Sequence, residues 1–368
     1  MGAGPKPQGE STMFGQSQIE KHKNEIDMLW NRQLPDRVPN GSMAFSESFC
    51  IRNAGKNIAD IFDQPAVIYD TFVWTAAQYD WNPFLQFTGF SALGAFDFGG
   101  TMYYPEQEGE VLAPISHPIT CEEDVAALKI PDPKTAGDIP RQIQFGHLQK
   151  QAGFPVTFYS RSPFCMAANM CGVGLFMKWL IRRPDLCTRI LDMALEHILN
   201  VLGYWVDTFG AENIQVWMST PLESNQCISP KHMQTFAVPY HLAYHDYLKQ
   251  QGLKQFCMHI CGEQNRNLQA LVEADPWAHP AVLSFGPEID ILDAAKNFPY
   301  DIICGNIDTS LLQSGSPGAI VNACSELLEK GKRIESGFIL APGCDTPALA
   351  PPVNIYAMTR ALQDHGAY

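Results

Sequence analysis

An α/β fold, specifically a (β/α)8 (TIM) barrel, is what this sequence predicts, and three observations predict it. From residue 154 onward, short apolar runs alternate with helix-length segments six times in succession. Consecutive βα units of one strand each imply a parallel sheet. "RVPNGSMAF", around residue 40, reads as a further strand, and one more is expected within 60–120, which brings the count to eight. Nearly every late run also ends in polar or reactive residues: "SRSPF", "STPLES", "HICGEQ", "GPEID", "GNID", "PGCD". In a closed barrel all these C-terminal ends converge on one mouth, whereas an open doubly wound sheet uses only those at its switch point.

The elements follow in order. "MGAGPKPQGESTMFGQSQ" is built from Gly, Pro, Ser and Gln and reads as a loose arm, without a signal-peptide pattern. Residues 18 to 33 are expected to form a short helix. Residues 1–36 are therefore an arm and helix, and 37–368 a single catalytic barrel. "GKNIADIF" and "QPAVIYDTFVWTAAQY" read as helices. The stretch 85–120, rich in Gly and aromatics, reads as an inserted hairpin and loop region. The aromatics of "TFVWTAAQYDWNPFLQFTGFSALGAFDFGG" suit core packing, a lid or a docking surface for a partner protein. Asp-Pro punctuation follows at "IPDPKTAGDIP". The six units then run from "PVTFYSRSPF", followed by "GLFMKWLIRRPDLCTRILDMALEHILNVLGYWVDTFG" as one helical segment, to "GFILAPGCD", followed by "PVNIYAMTRALQDHG".

Composition bounds the function. The 368 residues are 46% hydrophobic, enough to build a core without staples. The formal charge of −14 disfavours nucleic acid and anionic membrane surfaces as partners. No apolar run reaches membrane-spanning length. The 11 cysteines are odd in number and irregularly spaced, so they read as reduced thiols in a cytoplasmic protein.

"QFCMHICGEQN" carries the chemistry. Strand residues two apart share a face, so His259 and Cys261 project together, with Cys257 one layer deeper in the core. Cys344 stands at the end of the last strand. One nitrogen and two sulfurs suit Zn²⁺ with a fourth position left for substrate. A buried imidazole beside a small packing thiol is the plainer reading of the His-X-Cys pair alone. Cys50, Cys121, Cys187 and Cys324 read as packing thiols. Among strand-end acids, Glu223 reads either as an oxygen ligand, as a group orienting ligand or substrate, or as a carboxylate at a helix start. Glu288 and Asp308 are the candidates to bond the second nitrogen of His259. Glu263, after Gly262, reads equally as a site acid or as a solvent-facing residue.

"MHICG" followed by "FILAPGCDTPALAPPVNIYAM" resembles the uroporphyrinogen decarboxylase superfamily, in particular its cobalamin-dependent methyltransferases of the methylcobamide:coenzyme M type. "LPDRVPNGSMAF", "CISPKHMQTFAVPY", "GNIDTSLLQSG" and "PPVNIYAMTRAL" extend the resemblance over nearly the whole chain. It implies a zinc held by His259, Cys261 and Cys344. It also implies methyl transfer between a corrinoid (methylcobalamin) on a separate corrinoid protein and a small molecule, either a thiol acceptor or a methyl donor. "CIRNAGKNIAD" resembles the decarboxylase branch's arginine loop, with Arg52, Ala54 and Gly55 in place but Lys56 at its second arginine, and Asp97 is that branch's candidate acid. The alternatives are thus a metal-free decarboxylase, a zinc thiol alkyltransferase that needs no corrinoid, or a non-catalytic metal- or tetrapyrrole-binding subunit.

Overall fold

The computed structural model describes residues 16–42, 46–82, 84–87, 92–106 and 112–368. Its centre is a parallel sheet of six strands whose spatial order is their chain order. A short antiparallel pair, β1 (Met102–Tyr103) and β2 (Ala113–Pro114), precedes it. The parallel strands are β3 (Val156–Arg161), β4 (Ile214–Ser219), β5 (Gln255–Ile260), β6 (Val282–Phe285), β7 (Ile302–Ile307) and β8 (Phe338–Pro342). Each is followed by helix, so every crossover turns the same way and the sheet curls.

Two irregular segments supply the remaining staves and close the (β/α)8 barrel. Asn40 bridges Leu340 of β8 in parallel. Gly41 N donates to Leu340 O at 2.8 Å, and Leu340 N to Pro39 O at 3.1 Å. Asn82 N then donates to Asn40 O at 2.7 Å. One side chain makes the last join. Gln149 Nε2 donates to Leu85 O at 2.8 Å, while its Oε1 accepts from Thr157 N of β3 at 3.2 Å. The expected strands near 40 and within 60–120 are therefore present as staves, but with too few ladder bonds to be regular strands.

Strand parity divides the apolar residues into two cores. Outward Phe256, Met258 and Ile260 of β5 join the large core between sheet and helices. Inward Cys257 joins Phe84, Trp217, Val282, Ile302, Cys304, Ile339 and Ala341 inside the barrel. The helix Gln16–Trp30 adds Ile26 and Leu29 to this inner cluster, sealing the end opposite the mouth. His22, Glu25, Arg37 and Asp80 lock it there. His22 Nε2 lies 3.0 Å from Asp80 Oδ1, and Arg37 Nε donates to Glu25 Oε1 at 2.8 Å.

Three expectations need correction. The long segment after β3 is three helices, Pro163–Cys171, Val173–Arg182 and Pro184–Phe209. The breaks fall at Gly172 (φ 75°) and before Pro184, which forces Arg183 to φ −142°, ψ 60°. A helix at Ile139–Gln151, which the Asp-Pro punctuation before it hides, carries the Gln149 join. Cys50, Cys187 and Cys324 are buried, but Cys121 is exposed ahead of helix Glu122–Ala127, its N–H donating to Asp124 Oδ2 at 3.1 Å. Phe72, Tyr79, Trp81, Leu85 and Phe87 of the aromatic stretch are core; residues 83, 88–91 and 107–111 of that region lie outside the described residues. No single helix among the described residues is long and apolar enough to cross a membrane.

Candidate metal centre

The strand register prepares the site. Arg161 of β3 pairs with Ser219 of β4, Ser219 with His259 of β5, and His259 with Ser284 of β6. Paired residues in a parallel sheet share a face, so these four side chains form one inward line running down from the mouth. His259 is 4% exposed. Its Nδ1 meets Ser284 Oγ at 3.1 Å, which leaves Nε2 as the nitrogen to face an ion.

The two thiols arrive from the fifth and eighth staves. Cys261 follows the end of β5, and the chain turns at once through Gly262, whose φ of 75° favours glycine. Cys344 follows β8 after Gly343. That glycine packs so closely that a Cβ would sit 2.8 Å from Pro287 Cδ, and its N–H donates to Ile307 O at 2.7 Å. Closure of the barrel then brings Cys261 Sγ to 3.8 Å from Cys344 Sγ. All three donor atoms of His259, Cys261 and Cys344 lie within 4.8 Å of one another.

This geometry fits a tetrahedral metal. With metal–sulfur bonds of about 2.3 Å, two sulfurs at tetrahedral positions on zinc stand about 3.8 Å apart. A disulfide requires about 2.05 Å. The charge state fits as well. The hydrogen bond between Cys261 and Cys344, with the nearby His259 ring, holds Cys344 down despite its burial. Cys261, sharing that bond and buried beside Cys344, is pushed up. The arrangement favours one thiolate in the pair, the form that binds metal.

Glu223, Glu288 and Asp308 are not among the donors that lie within 4.8 Å of one another. Glu223, at the end of β4, is fully buried; its Oε2 meets His241 Nε2 at 2.8 Å. Glu223 Oε1 and His241 Nδ1 have no hydrogen-bond partner among the described residues. Glu288 is exposed in a turn and offers its backbone carbonyl to Asn265 Nδ2 at 3.2 Å. Asp308 is exposed and caps helix Thr309–Ser314, accepting from Ser310 N at 2.8 Å. His259 Nδ1 meets Ser284, its neighbour in register. Glu263 accepts from Asn265 N at 2.8 Å. Of the decarboxylase-type candidates, Arg52 donates to Ala348 O at 3.3 Å on the rim. Asp97 instead meets His197 of the outer helix at 2.9 Å, both side chains fully buried.

Other mouth residues emerge only in three dimensions. Glu47, 6% exposed, accepts from Gln86 Nε2 and is pushed up to about 8 by burial and by Asp345. Asp345, next after Cys344, is closely surrounded by protein groups yet keeps exposed surface. Burial and Cys344 push it up to about 6. Tyr159 Oη lies 2.8 Å from Ser219 Oγ. Strand parity marks Ser284, Tyr159 and Arg161 as inward; nothing local marks Glu47.

The uroporphyrinogen decarboxylase (URO-D) family pattern matches residues 28–365. Methylcobamide:CoM methyltransferase MtaA of Methanosarcina barkeri is 25% identical over 224 residues, 58% of this chain and 59% of that protein. A uroporphyrinogen decarboxylase of Synechococcus sp. is 26% identical over 243 residues, 62% of this chain and 66% of that protein. The chain thus spans less than two thirds of each of these relatives. A methyltransferase structure from Methanosarcina mazei superimposes with a TM-score of 0.77 at 19% identity, covering 93% of this chain and 98% of that one, which shows a shared fold. The match across nearly all of the barrel makes this chain a member of the uroporphyrinogen decarboxylase family.

Proposed function

We propose that the protein is a zinc-dependent methyltransferase. It moves a methyl group between a corrinoid, carried by a separate corrinoid protein, and a thiol or another small methyl donor or acceptor. The observation that carries this reading is the convergence of His259, Cys261 and Cys344, with the sulfurs 3.8 Å apart. The MtaA relative and the methyltransferase fold neighbour support it. Decarboxylation needs no metal and leaves the three donors without a role.

Zinc bound there supplies Lewis acidity that keeps an incoming heteroatom deprotonated and nucleophilic. The chain's own residues do the rest. Ser284 fixes the ring of His259. With His259, Cys261 and Cys344 would hold the ion, leaving one position for substrate. Trp217 and Phe84, ring centroids 5.6 Å apart, pack the barrel below the site, so substrate and methyl group meet from above. Methyl transfer onto a thiol acceptor forms the S–C bond as the Co–C bond breaks, with the bonding pair left on cobalt. The thiol proton leaves to solvent on binding. Residues 37–368 act as the catalytic domain, and the free thiols suit a reducing cytoplasm.

The test is metal content of protein purified without chelator, followed by the spectrum of methylcobalamin mixed with candidate thiols. The reading expects about one zinc per chain, lost in His259→Ala and Cys344→Ala, and thiol-dependent demethylation by the zinc-loaded protein alone. Absence of zinc uptake by freshly reduced protein sinks it and returns the decarboxylase reading around Arg52.

A further inference from the structure

The starts of the strands, at the end of the barrel opposite the metal donors, carry a second polar set. Thr157 of β3 pairs with Gln215 of β4, and Gln215 with Gln255 of β5. The three therefore share a face, and it is the inward one, because Trp217 and Cys257, two residues further on, lie in the inner cluster. Barrel interiors are filled mainly by bulky branched side chains, so three polar residues in one layer need an account. They face helix Gln16–Trp30 across a hollow of about 440 Å³, open solvent at its entrance included. Lys23, Asp27 and Trp30 line the helix side of it, each about one turn from the next. Phe84 and Phe154 add an apolar wall. The hydrogen bonds of this hollow do not close. Trp30 Nε1 is buried without a partner among the described residues. Gln215 is 4% exposed, and its Oε1 accepts from Trp217 Nε1 at 3.2 Å, which leaves its Nε2 for the hollow. Asn82 is equally buried; its Nδ2 donates to His22 O at 2.8 Å, which leaves its Oδ1. Lys23 acts on Asp27 through its charge alone, so both keep capacity for a ligand.

The geometry points to a second binding site here, for a small zwitterion with the size and charge of a short α-amino acid. Apolar walls with a few convergent polar groups are what small-molecule sites are made of. The ligand's carboxylate accepts from Trp30 Nε1 and Gln215 Nε2, with the Lys23 charge at the rim. Its ammonium donates to Asp27 and to Asn82 Oδ1. A short side chain lies against Phe84 and Phe154. An unpaired buried donor carries a desolvation cost that the carboxylate relieves. A plain anion faces the Asp27 carboxylate without compensation, and a plain cation leaves Trp30 Nε1 unpaired, so the site selects a molecule with both groups. The small hollow excludes long side chains. The bound ligand bridges helix Gln16–Trp30 to the starts of β4 and β5, so it also tightens the seal at this end. This site is independent of the metal centre and of the reaction proposed there.

The experiment titrates the full chain at neutral pH with alanine, propionate, ethylamine and phenylalanine. Binding is read by calorimetry and by hydrogen exchange of helix Gln16–Trp30. Alanine is expected to saturate the site and to slow exchange in that helix. Propionate, which lacks the ammonium, and ethylamine, which lacks the carboxylate, are expected to bind at least about tenfold more weakly, the scale of one lost hydrogen bond to a charged group. Phenylalanine is expected not to bind. Asp27→Asn is expected to weaken alanine about tenfold and to leave propionate no weaker. Trp30→Phe is expected to weaken both alanine and propionate; where it folds poorly, Asp27→Asn, on a half-buried helix position, carries the test. No saturable binding of alanine, equal binding of alanine and propionate, or alanine binding that Asp27→Asn leaves intact overturns the inference, and each leaves the metal centre standing.

Discussion

His259 Nδ1 sits 3.1 Å from Ser284 Oγ, and the two residues are partners in register on adjacent strands. The backbone ladder that builds the barrel therefore also sets the orientation of the imidazole. Ser284→Ala removes the hydroxyl without disturbing the ladder. Metal affinity measured by chelator competition is expected to fall about 10- to 100-fold, with thermal stability nearly unchanged. Unaltered affinity would mean that packing alone orients the ring.

Gly343 sets the position of Cys344. A methyl group at residue 343 meets Pro287 Cδ at 2.8 Å, so Gly343→Ala must displace the end of β8. The variant is expected to fold but to bind metal at least tenfold more weakly. Gly318→Ala is the control: its Cβ meets nothing within 4 Å in helix Pro317–Gly331, and it is expected to gain about 0.5 kcal/mol. Equal metal binding in both variants would refute the assignment.

Gln149 completes the barrel through its side chain. Gln149→Ala leaves Leu85 O and Thr157 N without these partners, and Gln149 itself is 1% exposed. Denaturant unfolding is expected to show a loss of about 2–3 kcal/mol, the scale of stranding buried polar groups. A loss under about 0.5 kcal/mol, the scale of ordinary surface substitutions, would show that other contacts close the ring.

The seal at the far end is expected to depend on pH. Burial pushes His22 down, but its hydrogen bonds to Asp80 and Glu25 outweigh this and raise it. That contribution is full below the ordinary histidine value near 6.5 and is lost as pH rises through the raised one. Burial pushes Glu25 up, but hydrogen bonds from His22 and Arg37 outweigh this and lower it. Its contribution is full above the ordinary value near 4.5 and is lost as pH falls through the lowered one. Hydrogen exchange of helix Gln16–Trp30 is expected to be slowest, after correction for intrinsic rates, between these limits. His22→Gln is expected to remove the alkaline slope; a slope that persists in it would assign the dependence elsewhere.

The sequence by itself determined the six βα units, the inward parity of His259 and Cys261, and the strand-end position of Cys344. All of these follow from local periodicity, because a strand alternates faces every residue and a helix turns every 3.6. Tertiary structure decided what meets what. Cys261 and Cys344 are 83 positions apart and lie 3.8 Å from each other only because the ring is shut. The first two staves, held by a few bonds from Asn40 and Gln149, have no periodic signature. Glu288 and Asp308 stand at strand ends as the pattern indicates, yet one lies in an exposed turn and the other caps a helix. Ser284 meets His259 because parallel register places it alongside. Glu47 comes beside Asp345 because Ser46 and Thr346 join loops 300 residues apart. Periodicity fixes the face on which a side chain stands; its neighbour across the mouth depends on closure of the ring, which only the folded chain as a whole achieves.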